Sequence, residues 1–479
     1  MKLFVFAMLG CLFFSGLFAQ SDSAIHGISL QNAGFSAYVI DAERGNIIFA
    51  TPQISLVPAS VMKVVTSAAA LEILGPEFRF HTQIGYIGKV NNESGQLEGD
   101  LVLTSGCDPA FYSEYFTDHY KGTFDGWCTA LQQAGIKNIK GDLLVDLSKM
   151  EGLSVPGGWQ WDDLGNFYGA GVSAMTFNDN SYKIHFATPT ESNKPATILG
   201  CDPVIDSLRI DNKVVSSEIN RDLTVVYSAP GSYCQLIEGS IPKGRTDFIV
   251  KATMPDPARI LTAEFIKVLK TFHIDISGKV RFLNKHPEAD LKPIAEKSSP
   301  SLRELIVALN HESLNLFAEH LLREIGRALR GSTTLDTSIE AIIEFWKGKN
   351  LFLDGFYPTD GSGLSRSNGI CPQTLAEILR YMYLSPYRDD FFNSLPIAGI
   401  NGTLQNSFKG TKLENNLLAK TGSMTRVRSL AGIFTDKNGK KIIFALIINN
   451  FEGKQANAEK AVETFLNEIY SRETVARER

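Results

Sequence analysis

Ser60 and Lys63, Ser313 and Asn315, and the run Lys420-Thr421-Gly422 spell S-x-x-K, S-x-N and K-T-G in that order along the chain. The ordered trio is the signature of a serine acyl-transfer site. Each piece alone is weak, and the chain holds its own control: Ser240-Ile241-Pro242-Lys243 is a second S-x-x-K, set among glycine, proline and charge where no helix would start. Ser60 instead leads into Val61-Met62-Lys63-Val64-Val65 and an alanine-rich run of helical length. A helix beginning at Ser60 puts Lys63 one turn on, on the same face. A serine hydroxyl is a poor nucleophile at neutral pH unless a base lies within hydrogen-bond reach. A lysine serves as that base only when uncharged, and burial beside a second ammonium favours the uncharged form. Lys63 is therefore the expected base and Lys420 the expected second ammonium. The first-turn N–H of Ser60 and the N–H of Ser423 would face the developing oxyanion.

These residues need elements to hold them. Leu417–Met424 carries K-T-G just before the apolar runs Ser429–Phe434 and Ile442–Ile448, which read as adjacent antiparallel strands with Asp436-Lys437-Asn438-Gly439 as a turn. An edge strand there would pair with an extended peptide, and Lys420 and Thr421 would meet a terminal carboxylate. Gly422 would let a substrate backbone approach closely. Phe35–Asp41 and Asn46–Thr51 read as a hairpin joining the same sheet. Around Ser313 and Asn315 a helical pattern is interrupted by a polar patch. Ser313 would pass a proton to the leaving amine, and Asn315 would orient Lys63 and the substrate amide.

With these motifs in place, the chain resembles the penicillin-binding serine transferases, and within them the class C low-molecular-mass group, the penicillin-binding protein 4 type D-alanyl-D-alanine carboxypeptidases and endopeptidases. Spacing carries the resemblance: 313 − 60 = 253 positions separate the first two motifs, far more than one transpeptidase-like domain needs, whereas 420 − 313 = 107 separate the last two. Gly99-Asp100-Leu101, Gly106-Cys107-Asp108-Pro109, Gly141-Asp142-Leu143, Asp360-Gly361-Ser362-Gly363-Leu364-Ser365-Arg366 and Leu395–Leu404 are similar to further family signatures. Leu314 and Cys107 depart from the common pattern without removing a catalytic group. The resemblance implies an α+β fold: a transpeptidase/β-lactamase-like catalytic domain, its antiparallel sheet flanked by helices, with two nested strand-rich inserted domains. The expected boundaries are 21–76 and 296–479 for the catalytic domain, 77–178 and 252–295 for the first insert, and 179–251 for the second. The resemblance further implies a serine D-Ala-D-Ala carboxypeptidase, also cutting D-alanyl cross-links, that acts on peptidoglycan stem peptides through an acyl-enzyme on Ser60 and is acylated by β-lactam antibiotics. By the same carry-over Asp163, Tyr168 and Arg366 would contact the stem peptide, beside Thr421, Gly422 and Ser423. Two rivals stand beside this reading: a β-lactamase on the same scaffold, disfavoured by the inserts, and a non-catalytic peptidoglycan-binding protein, disfavoured by the intact Ser60, Lys63 and Lys420.

Composition agrees. Residues 1–20 read as a secretory signal, with Lys2, an apolar run from Leu3 to Phe18, and cleavage after Ala19 or Gln20, so a periplasmic or otherwise exported protein is expected. No later stretch is apolar enough to cross a bilayer, and the charged tail after Tyr470 would make no stable membrane anchor. A net charge of −5 gives no basic footprint for nucleic acid. No C-x-x-C or H-E-x-x-H occurs and the eight histidines show no ligand spacing, so no metal or other cofactor is expected. Five cysteines remain after the signal; Cys107 with Cys128 and Cys201 with Cys234 are plausible disulfides by proximity, the alternative being five small apolar side chains. Sequence leaves open a homodimer, the balance of exo- and endopeptidase action, and the preferred stem diamino acid.

Overall fold

The computed structural model describes residues 32–472. The signal segment and the end of the charged tail lie outside the described residues. By contacts the chain divides into two units. The first takes the chain up to Glu72, Ile306–Ser313 and the chain from Ile343 onward; the second takes Ile73–Leu305 and Leu314–Ile342.

The first unit is built on a five-stranded antiparallel sheet. Its strands are β1 (Gly34–Asp41), β2 (Ile47–Ala50), β3 (Leu418–Met424), β4 (Val427–Thr435) and β5 (Lys441–Asn449), in the order β3-β4-β5-β1-β2. Helices α1 (Met62–Leu74), α2 (Pro372–Leu384) and α3 (Gln455–Ser471) belong to the same unit. The hairpin of β1 and β2 and the K-T-G strand at the sheet edge match the sequence reading. β5 is an unbroken apolar run, Ile442 to Ile448, because both of its faces are buried. One face, Ile442, Phe444, Leu446 and Ile448, packs with Ala458, Val462, Phe465 and Ile469 of α3, which recur at helical spacing. Phe465 sits edge-on to Phe49, 5.2 Å between centroids; its truncation to alanine would cost about 3–5 kcal/mol.

The second unit is rich in strands: a seven-stranded mixed sheet that includes His81–Asn91, Gln96–Thr104 and Lys292–Ser298, and two three-stranded sheets formed by residues 181–253. Ser240 lies within the strand Cys234–Pro242, so the control S-x-x-K starts no helix. The helix Asn315–Arg330 groups with this unit through buried polar contacts: the Arg323 guanidinium donates to the carbonyls of Thr333 (2.8 Å) and Leu153 (3.1 Å).

The expected disulfides do not form. All five cysteines of the described chain are free thiols. Cys201 lies opposite Ile184 in one sheet and Cys234 opposite Arg209 in another, so nearness in sequence does not become nearness of sulfurs. Cys107, Cys128 and Cys371 are buried as small apolar side chains, whereas Cys234 is exposed.

Candidate active site

The nucleophile turn is short and strained. Ala59–Val61 forms one turn of 3-10 helix that runs into α1 at Met62, so the helix start expected at Ser60 is reached through a tighter turn. Ala59 adopts φ +48°, a left-handed conformation costly for a residue with a Cβ. Its carbonyl lies where a side chain on Gly363 would have to be, 1.9 Å away, so the Asp360–Gly363 loop presses directly on the turn. Asp360 shapes that loop from inside: its carboxylate accepts from Gly363 N (2.7 Å), Ser365 N (2.6 Å) and Asn368 Nδ2 (2.8 Å).

Lys63 is fully buried, with Nζ 3.0 Å from Ser60 Oγ and donating to the Ser362 carbonyl at 2.7 Å. A neutral amine so placed keeps an N–H on the carbonyl and can turn its lone pair toward the serine hydroxyl. The helix Leu302–Glu312 ends at Ser313, whose φ of +60° breaks the helical path. Ser313 Oγ accepts from Lys420 Nζ at 2.9 Å, and Lys420 also donates to the Thr421 carbonyl at 3.0 Å. Lys420 is fully buried, and its ammonium is held well below the ordinary lysine range by burial first, then by the charges of Lys63 and Arg428. Repulsion between the two amines disfavours the state in which both are charged, so the expected second ammonium at Lys420 is itself weakened by its burial and by Lys63.

Gly422 meets a constraint within the protein as well. A Cβ there would meet Ser429 Oγ at 2.2 Å, the Pro58 carbonyl at 2.7 Å and Ser60 N at 3.0 Å. The missing side chain therefore makes room for the turn that carries Ser60. Ser429 Oγ donates to the Pro58 carbonyl at 2.5 Å and pins that turn to β4. Next along the edge strand, Thr421 Oγ1 donates to Thr403 Oγ1 (2.8 Å), and Ser423 Oγ accepts from Gln455 Nε2 (2.8 Å). Arg366 donates to the Thr425 carbonyl at 3.3 Å.

The structure thus brings Ser60, Lys63, Ser313, Lys420, Thr421, Gly422, Ser423 and Arg366 into the first unit. Asn315, Asp163 and Tyr168 belong to the second, where Asn315 Nδ2 donates to the Tyr168 carbonyl at 2.8 Å. The Tyr168 hydroxyl is pushed up to about 12 by burial and the charges of Asp163 and Asp162. Residue roles missed in the sequence are the Ser362 carbonyl, the Asp360 carboxylate and Ser429. The D-G-S-G run was a usable signal for the first two, since an aspartate followed by glycines often folds a loop on itself. Among the described residues no cluster of His, Cys, Asp or Glu could hold a metal, and no helix is long and apolar enough to cross a membrane.

A family model described as the D-Ala-D-Ala carboxypeptidase 3 (S13) family matches residues 18–469. The chain belongs to this family. It is 27% identical over 446 residues to a D-alanyl-D-alanine carboxypeptidase of an Actinomadura species, covering 90% of this chain and 80% of that one. It is 25% identical over 437 residues to the D-alanyl-D-alanine carboxypeptidase DacB of Haemophilus influenzae, covering 87% and 86%. The crystal structure of penicillin binding protein 4 from Haemophilus influenzae superposes with a TM-score of 0.81 at 23% identity, over 94% of this chain and 99% of that one. The fold of that structure is therefore this chain's fold, a mixed α+β architecture.

Proposed function

We propose that this chain is a serine D-alanyl-D-alanine carboxypeptidase, also cutting D-alanyl cross-links, that works on peptidoglycan stem peptides through an acyl-enzyme on Ser60. The observation that carries it is Lys63 Nζ, buried and 3.0 Å from Ser60 Oγ. As Oγ attacks the carbonyl of the penultimate D-alanine, its proton passes to the neutral Lys63 amine, and the oxyanion forms against the N–H groups of Ser60 and Ser423. Collapse breaks the amide bond. The departing amine takes that proton through Ser313, which Lys420 Nζ touches at 2.9 Å, so Lys63 is neutral again as the terminal residue leaves. Water then attacks the ester carbonyl while Lys63 takes its proton, Lys63 hands that proton to Ser60 Oγ as the ester bond breaks, and the shortened stem peptide is released.

Asn315 orients the substrate amide and Lys63, Thr421 meets the terminal carboxylate, and Asp163, Tyr168 and Arg366 contact the stem side chain. A β-lactam acylates Ser60 because its strained amide occupies the place of the D-Ala-D-Ala bond; a Haemophilus influenzae penicillin binding protein 4 structure is described as complexed with a β-lactam. The substrate places the protein in the cell wall compartment, in keeping with the export signal read at residues 1–20. The test is a fluorescent penicillin: the adduct disappears in Ser60→Ala and persists in Ser240→Ala, with D-alanine release from a stem pentapeptide following the same pattern. Labelling that survives Ser60→Ala would sink the reading.

A further inference from the structure

The segment Trp161–Gly169 holds three aromatic rings out of the core. Trp161 is 63% exposed, Phe167 48% and Tyr168 39%. Rings of this size usually gain by burial, and exposed aromatic rings gathered on one segment mark a candidate binding surface. The backbone beneath the rings is clamped. Buried Asn166 donates from Nδ2 to the Asp162 carbonyl (2.6 Å) and accepts at Oδ1 from Val226 N (3.1 Å), and its carbonyl accepts from Thr253 Oγ1 (2.7 Å). The Gly165 carbonyl accepts from Thr253 N at 2.9 Å. Neither Gly165 nor Gly169 has room for a Cβ, which would meet the Val226 carbonyl at 2.1 Å and the Asp163 carbonyl at 2.0 Å respectively. The rings are displayed by a fixed scaffold, so little conformational entropy is lost when something settles on them.

Polar groups rim the shelf. The Trp161 ring lies 4.7 Å from that of Tyr227, tilted by 44°. The Tyr227 hydroxyl is raised above its ordinary range by partial burial and then by the Glu238 and Asp162 carboxylates beside it. Flat apolar faces bordered by carboxylate acceptors suit a ligand that is itself apolar on its faces and hydroxyl-bearing at its edges. A sugar ring has that form. At the Trp161–Tyr227 pair a phosphate-bearing ligand or an anionic lipid surface would be repelled by Asp162 and Glu238, while Lys251, 5.8 Å over the Phe167 ring, is already paired with Glu114. The shelf is tied to the second motif as well, through the hydrogen bond from Asn315 to the Tyr168 carbonyl.

We propose that Trp161 and Tyr227 form a platform for the glycan strand of the wall polymer, stacking on N-acetylated hexosamine rings whose hydroxyl and amide groups donate to Asp162 and Glu238. This rests on the reading of the enzyme as a peptidoglycan peptidase, and it gives the enzyme a preference for stem peptides still attached to glycan over free ones.

The experiment compares wild type, Trp161→Ala and Trp161→Gln on two substrates: purified polymeric peptidoglycan bearing pentapeptide stems, and the soluble pentapeptide. The expected result is a KM about tenfold higher on polymer for both variants, the order for one stacked ring. Rates on the soluble pentapeptide, penicillin acylation and the melting temperature stay unchanged. In parallel, an N-acetylglucosamine hexamer quenches the tryptophan fluorescence of Ser60→Ala and fails to do so once Trp161 is also replaced. Unchanged kinetics on polymer overturn the proposal. Equal losses on both substrates overturn it in favour of a stem-peptide contact, and a change in oligomeric state with unaltered sugar binding overturns it in favour of a second copy on the shelf. The sugar titration uses the Ser60→Ala protein, so a failure of the acyl-enzyme reading shows in penicillin labelling and a failure of the platform shows in fluorescence.

Discussion

Gly422→Ala tests the geometry of the site more sharply than removal of any catalytic group. The added methyl would sit 2.2 Å from Ser429 Oγ and 2.7 Å from the Pro58 carbonyl, against an ordinary contact of 3.4 Å or more. The shortfalls are 3.4 − 2.2 = 1.2 Å and 3.4 − 2.7 = 0.7 Å. Ser429 could rotate away, but it would release the Pro58 carbonyl, and the second overlap is with backbone that cannot rotate. The edge strand and the nucleophile turn must therefore separate by about 0.7 Å, the shortfall against the Pro58 carbonyl. A displacement of about 1 Å at reacting groups costs on the order of 10²-fold in rate. Loss of the Ser429 to Pro58 hydrogen bond would add about 1–3 kcal/mol of destabilisation. The assay is the second-order rate constant for acylation by a fluorescent penicillin, read beside a thermal melt. The expected outcome is an acylation rate down about a hundredfold in a protein that still melts cooperatively. A rate constant within about threefold of wild type would show that the turn does not depend on its closeness to the edge strand, and the account of Gly422 would fail.

Lys63→Met keeps length and burial while removing the base; acylation should fall by at least about 10³-fold with the melting temperature held or raised, and an unchanged rate would refute the assignment. Lys420→Met should lower acylation and also alter the pH dependence of stability. The folded Lys420 is depressed below 10.5, so between its folded value and 10.5 the unfolded chain binds the extra proton and wild-type stability climbs with pH. The variant lacks that dependence, so its advantage in melting temperature at pH 7 should shrink toward pH 9; an advantage that grows with pH would contradict the depressed lysine. The free thiols predict that reductant leaves the melting temperature unmoved while iodoacetamide modifies exposed Cys234 in the native protein; a drop of several degrees on reduction would restore a structural disulfide.

The three motifs were legible because their parts are local and directional. A serine three residues before a lysine on a helical run, and K-T-G just ahead of two apolar strands, each define their own geometry. The strands of the first sheet followed from apolar runs and the Asp436–Gly439 turn. The remainder depends on contacts no short window contains. The Ser362 carbonyl meets Lys63 across 299 positions of chain, and Pro58 meets Ser429 across 371. Backbone carbonyls carry no residue type, so nothing in the sequence marks them as partners. The direction of the Gly422 hydrogen was equally hidden, since a glycine tells that space is short without telling on which side. The cysteine pairing failed for the same reason: separation along the chain says little about two strands that enter different sheets.

β1 sits between β2 and β5, with Gly34 opposite Asn449 and Asp41 opposite Ile442. The centre of the catalytic sheet is therefore closed by two segments made at nearly opposite times during synthesis, while the strand-rich unit between them has long since emerged. Loop closure over such a span is slow. A chain interrupted between Lys63 and β5 carries Ser60 and Lys63 yet lacks the strand that joins β1 and β2 to β3 and β4. The enzyme thus withholds its acylating power from incomplete copies of itself, a form of quality control written into strand order.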